Sequence, residues 1–145
     1  MANSGILVNP FTVEYIAPGV INERSVDGLL TIFTVDNGNP KTIDAWLDYA
    51  QSTLVNWPSQ QPCYMLHDIR KTKLRTFNTQ LGLRLRSLFT LHQESAFSVA
   101  IVIPDEFADE ADPLTDGPSE LGLPYELQLF LTRNEAIAWL LRDRN

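Results

Sequence analysis

Between Pro62 and the basic pair Arg70-Lys71 the chain carries a short, nearly continuous apolar run, Cys63 to Ile69. A run of that length without polar alternation suits a strand covered on both faces, as in the parallel part of an α/β sheet. The segment is therefore expected to be the sheet centre, and the rest of the chain can be read by what it supplies around that strand.

The stretch before it changes period once. Phe11 to Ile16 alternates apolar and polar residues, with Phe11, Val13 and Tyr15 on one face, the period of a half-buried strand. Pro18-Gly19 supplies a turn, and Val20 to Val26 can return antiparallel. Asp27-Gly28 then reads as the centre of a two-residue hairpin turn, because a type I′ turn needs positive φ at both central positions. Leu29 to Val35 is a third, more hydrophobic strand, closed by the turn formers Asp36-Asn37-Gly38-Asn39-Pro40. From Thr42 the period becomes helical: Ile43, Trp46, Leu47, Ala50, Leu54 and Trp57 recur on one face, with Thr42 as N-cap, Asp44 in the first turn and Pro58 as the stop.

After the central run, Leu74, Phe77, Leu81, Leu85, Leu88 and Phe89 form the stripe of a longer helix with Arg84 and Arg86 on its polar flanks. Ala96 to Ile103 is a buried strand ended by Pro104, and Glu126 to Leu131 is the last strand. Between them, residues 105–124 carry seven acidic residues, no Lys or Arg and several Pro and Gly breaks, which predicts an acidic loop or lid with at most a short helix near Phe107. Thr132-Arg133-Asn134-Glu135 is a capping box, opening a helix whose buried face is Ala136, Ile137, Leu140 and Leu141. The fold class is thus α/β: a mixed sheet in which an N-terminal antiparallel meander leads into parallel βαβ units. At 145 residues this is expected to be one domain spanning 1–145, with residues 1–10 as a flexible start.

Charge and composition exclude several classes. A net charge of −7 leaves no excess of Lys and Arg to neutralise phosphates, so no nucleic-acid partner is expected. The single cysteine, Cys63, allows neither an intramolecular disulfide nor a Cys-rich zinc site. The first ten residues have no basic segment followed by an apolar one, and no apolar run reaches membrane-span length, so a cytoplasmic protein without an integral membrane segment is expected. No nucleophile elbow, phosphate-binding Gly-rich loop with Lys, His-Glu-x-x-His or paired-cysteine motif is present, and no cofactor or metal is implied.

The element order over residues 11–143, together with Leu129-Phe130 followed by Glu135-Ala136-Ile137-Ala138-Trp139-Leu140, resembles the SpoIIAA-like branch of the STAS and Sec14-like superfamily. Those small domains begin with a strand pair and end on a strand followed by a short, Ala-rich, Trp-containing helix. The resemblance implies a SpoIIAA/STAS-like fold and a regulatory role, as an anti-sigma-antagonist module or a part of a transporter, and related folds hold lipids or small ligands. Phosphoregulated members carry an Asp-Ser pair where the loop after the central strand enters the next helix. The matching stretch here is Arg75-Thr76-Phe77-Asn78-Thr79, which has no such pair and offers only Thr76 and Thr79 as hydroxyls.

The residues themselves point to the same loop. Arg70, Lys71, Thr72, Lys73, Arg75 and Thr76 join the central strand to the long helix. Strand carboxyl ends face the ligand crevice of an open α/β sheet, and a helix N-terminus favours an anion there. The plain alternative is a solvated basic turn. If the central and following strands run parallel, residues 105–120 leave the same sheet edge and could close over the loop, held by Arg70, Lys71, Lys73 or Arg75. His67-Asp68 is the one adjacent pair suggestive of acid/base work, yet a His on a buried strand reads first as a hydrogen-bonded core residue; Cys63 and Trp46 read as core too. Trp57 and Trp139 sit near element ends, where a partner or a second subunit, as in a homodimer, could cover them, although core placement is the simpler reading.

The expectation is a non-catalytic regulatory or protein-interaction domain that senses an anionic ligand at the loop after the central strand. An apolar pocket for a small molecule or lipid between sheet and helices is the alternative, and an uncharacterised enzyme the third. A preformed apolar cavity under residues 105–124 favours the pocket, and a filled core with an exposed apolar patch favours the partner module.

Overall fold

The computed structural model describes residues 11–25, 27–58, 61–72, 84–85, 87–88, 97–110 and 126–142. Six strands form one sheet in chain order: β1 (Phe11–Ala17), β2 (Val20–Ser25), β3 (Leu30–Val35), β4 (Cys63–Asp68), β5 (Phe97–Val102) and β6 (Glu126–Phe130). β1, β2 and β3 pair antiparallel, and each later neighbour pairs parallel. This is the mixed α/β sheet expected, and β4 lies between β3 and β5 in its interior. The helices described in full are α1 (Pro40–Val55) and α2 (Arg133–Leu140), with a 3₁₀ segment at Asp105–Glu110. Residues 84–85 and 87–88 are helical, and the rest of the expected long helix lies outside the described residues.

Alternation along the strands sorts the side chains onto two faces. Phe33, Met65, Val99 and Leu129 belong to the larger core, closed by Ile43, Trp46, Leu47, Ala50 and Leu54 of α1 together with Leu85 and Leu88. On the other face Leu30, Ile32, Leu66, Ala100 and Val102 pack under Ala136 and Leu140 of α2, with Ile137 and Leu141 partly buried at its edge. Covering on both sides is what a parallel sheet requires, and it explains why the β4 and β5 sequences read as apolar runs rather than alternations. The N-terminal meander is different. α2 packs on β4, β5 and β6, so the α2-side face of β1 is left open. Val13 is 50 % and Tyr15 79 % exposed, and the face expected to be the buried one of that strand is the one turned to solvent. A register shift between Tyr15 and Ala17 bends the strand end, and Ile16 packs against the larger core.

Three local expectations are corrected. The β2–β3 turn closes one residue earlier than the Asp27-Gly28 pattern implied: the Gly28 N–H donates to Ser25 O at 2.9 Å, so Gly28 (φ +77°) follows the turn. Asp27 Oδ1 accepts from Ser25 Oγ at 2.6 Å and from the Leu29 N–H at 3.0 Å, which gives the Asp a local role that turn chemistry explains. Helix α1 begins before Thr42, with Asn39 as N-cap and Pro40 in the first turn, where its missing N–H costs nothing. Asp44 therefore lies beyond the first turn, and Thr42 is buried with its hydroxyl 3.5 Å from Pro18 O. At α2 the Glu135 N–H donates to Thr132 Oγ1 at 3.2 Å as the capping box requires, but the Glu135 carboxylate accepts from the Thr132 hydroxyl at 3.1 Å.

Candidate functional site

The carboxyl ends of the parallel strands place Asp36 after β3, Asp68 at the end of β4, Asp105 after β5 and Arg133 after β6. The basic loop leaves from this margin and is tightly made. The Ile69 N–H donates to Val102 O at 3.0 Å, while the N–H and hydroxyl of Thr72 both donate to Ile69 O, at 3.0 and 2.7 Å. Thr72 is thereby buried and spent on the turn. Arg70 folds back on its own strand: Nε and Nη2 reach Asp68 Oδ1 and Oδ2 at 3.0 and 2.8 Å, a two-pronged pair with a carboxylate that is nearly buried. That hydrogen bonding raises the Arg70 pKa, with the Asp68 and Asp105 charges adding to it against the cost of burial. Lys71 Nζ lies 3.5 Å from Asp36 Oδ1, both largely exposed.

The described part of the loop thus leaves from the carboxyl end of β4, with partners the sequence did not name. Arg70 is neutralised by Asp68 before any external anion arrives. Lys71 is only loosely engaged, since an exposed pair contributes at most about 1 kcal/mol. Asp105, the first acidic residue after β5, does come within electrostatic reach of Arg70, so the described starts of the two charged stretches are neighbours. Lys73, Arg75 and Thr76, and residues 111–124 of the lid expected over 105–124, lie outside the described residues.

Lys71 and Asp36 also border a surface hollow of about 560 Å³ whose other walls are Tyr15, Ala17, Pro18, Gly19, Ile21 and Thr34. Gly19 (φ +89°) is required there: a Cβ would stand 2.8 Å from Asn37 Nδ2. A second hollow of about 650 Å³ lies nearby, lined by Ala17, Pro18, Asn39, Pro40, Lys41 and Thr42. Together with Val13 and Tyr15, these make the β1–β2 corner an apolar surface with two lysines at its rim. The sequence signal was present in the apolar set Phe11, Val13 and Tyr15, but alternation says only that a strand has two faces.

The residues with reactive side chains are sealed. His67 is fully buried, stacked on Phe33 with ring centroids 5.3 Å apart and planes 6° from parallel, and its Nδ1 accepts from Trp46 Nε1 at 2.9 Å. The indole can only donate, so the neutral imidazole carries its proton on Nε2. Burial lowers the His67 pKa to about 3. Cys63 is fully buried and desolvation pushes its thiol well above the ordinary range. Trp57 is buried in the larger core with its Nε1 donating to Pro62 O at 3.2 Å. Trp139 packs against Phe130 at 5.7 Å under the Arg142 guanidinium.

Among the described residues no group of three or more His, Cys, Asp or Glu could hold a metal ion, and no helix is long and apolar enough to cross a membrane. Comparison of the chain with protein-family models, with curated proteins and with solved structures finds no match. The small α/β mixed-sheet fold is compatible with a STAS-like domain.

Proposed function

We propose that this chain is a non-catalytic, STAS-like protein-interaction domain that docks a partner at the exposed β1–β2 corner of the sheet. An apolar anchor of the partner enters the hollow beside Tyr15 and Ile21, and an acidic group meets Lys71 at its rim. The observation that carries this reading is the asymmetry of cover: one half of the α2-side face is closed, while Tyr15 stands 79 % exposed beside a hollow of about 560 Å³. An exposed apolar patch with a charged rim is the usual mark of a docking surface. The sealed state of His67 and Cys63 favours binding over turnover, because a general base or nucleophile must reach its substrate. Among the described basic residues of the loop, Lys71 is the one left for ligand sensing, since Arg70 is already matched by Asp68.

A photo-crosslinking side chain at Lys71, compared with one at the exposed Val55 on α1, tests the reading in the cells of origin. A discrete hetero-conjugate from position 71, absent from position 55 and lost in Tyr15→Glu, is the expected result. Equal labelling from both positions, or a conjugate indifferent to Tyr15→Glu, sinks it.

A further inference from the structure

Among the described residues no strand lies beyond β1 in the sheet, and the hydrogen-bonding pattern of that margin can be worked out. The Asp36 N–H donates to Gly19 O at 2.7 Å, and the β2–β3 register is regular from there, so Gly19, Ile21 and Glu23 bond toward β3. Val20, Asn22 and Arg24 must then bond toward β1, where Asn22 faces Glu14 and Arg24 faces Thr12. Thr12 and Glu14 use their backbone groups on β2, and the N–H and C=O of Val13 and Tyr15 point away from the sheet.

No basic residue or proline blunts that margin, and the one irregularity is the register shift between Tyr15 and Ala17 at the strand's end. Phe11–Ala17 contains no Lys, Arg or Pro, and its one charge, Glu14, lies on the face toward α1, where it accepts from Tyr49 Oη at 3.0 Å. Val13 and Tyr15 add exposed apolar surface beside the outward backbone groups.

From this we infer that two copies of the chain associate through β1, antiparallel about a two-fold axis at Val13, to join their sheets into one. The parity of outward groups allows pairing only of odd with odd positions, and charge chooses among the remaining registers. An axis at Glu14 would set two carboxylates opposite each other at about 4.5 Å between Cα atoms, which like charges disfavour. An axis at Thr12 would leave Tyr15 without a pairing partner. An axis at Val13 pairs Val13 with Val13 and Phe11 with Tyr15, and sets Glu14 opposite the neutral Thr12 of the second copy. Arg24 of that copy stands next in the same row. Arg70, Arg84, Arg133 and Arg142 each hold a carboxylate within 3.0 Å, whereas Arg24 has no ion pair among the described residues. The pairing thus puts a positive charge two strands from each Glu14.

This association goes beyond partner docking, which uses the sheet face rather than its margin, and it extends the open face instead of covering it. Sedimentation equilibrium of the full chain over a concentration series is the first test, with a reversible dimer expected. Val13→Pro removes an N–H that β2 does not use, so it is tolerated at an edge and should give a monomer with wild-type circular dichroism. Val13→Lys serves the same purpose should the proline variant fail to fold. Val13→Cys should oxidise to a disulfide-linked dimer, because directly paired positions lie about 5.5 Å apart, whereas Glu14→Cys should not, its counterpart being offset beyond disulfide reach. A wild-type monomer throughout the series, a dimer that survives both Val13 variants, or cross-linking through Glu14→Cys in place of Val13→Cys overturns the inference. A monomer that still gives the Lys71 conjugate leaves the docking reading standing.

Discussion

The two halves of the sheet solve the same problem differently. β4, β5 and β6 are parallel and lie between α1-side and α2-side layers, so each of Met65, Leu66, Val99, Ala100 and Ile101 is fully buried. β1 and β2 are antiparallel, and in β1 the α2-side positions Val13 and Tyr15 are open to water. A hairpin connection needs no crossover helix, so nothing is obliged to cover that second face. Side chains whose type suggests chemistry therefore ended up in the half where chemistry has no access, and the accessible half offers apolar contact and backbone hydrogen bonding.

Trp46→Ala should separate the halves most sharply. It removes the largest fully buried side chain together with the donor to His67 Nδ1, and a loss of about 3–5 kcal/mol is expected in a urea titration. A loss below about 1 kcal/mol would mean that this core is far looser than its burial indicates.

Acid comes next. The unfolded chain takes up a proton on His67 near the ordinary pKa of 6.5, the folded chain only near 3, so stability falls as pH drops through that window. The slope attributable to this one group approaches about 1.4 kcal/mol per pH unit. In His67→Gln, whose amide can still accept from Trp46, the curve of stability against pH should be flatter than in the wild type between those limits. Parallel curves would show that His67 does not titrate differently on folding.

Asp68→Asn should cost less, about 1–2 kcal/mol, since Arg70 is partly solvated and its loss of a partner is screened. It should also release the guanidinium, so phosphate should raise the melting temperature of the variant more than that of the wild type. Equal shifts would show that Arg70 is not the group that Asp68 withholds from anions. Smallest is Tyr15→Ser on the open face, expected within about 0.5 kcal/mol of the wild type in the same urea titration. A large loss there would mean that the open half is covered after all.

Much of the architecture was legible in the residues because periodicity is a local property. The unbroken run at 63–69, the helical spacing from Ile43 to Leu54 and the Thr132 cap each report a backbone state that neighbouring residues enforce. The site was less legible. The basic loop was found at the strand end, but Asp68 is part of the very run read as core, and Asp36 lies 35 residues before Lys71. No local pattern says that either carboxylate turns toward the loop.

What the chain determined by itself is the kind and order of its elements, and with them an interior β4, because hydrophobic period and turn chemistry act within a few residues. Which face of β1 meets water, which carboxylate stands beside Lys71 and how deeply His67 is sealed were decided only in the tertiary structure. Those outcomes depend on contacts between segments tens of residues apart, and α2 extends over only part of the face it covers.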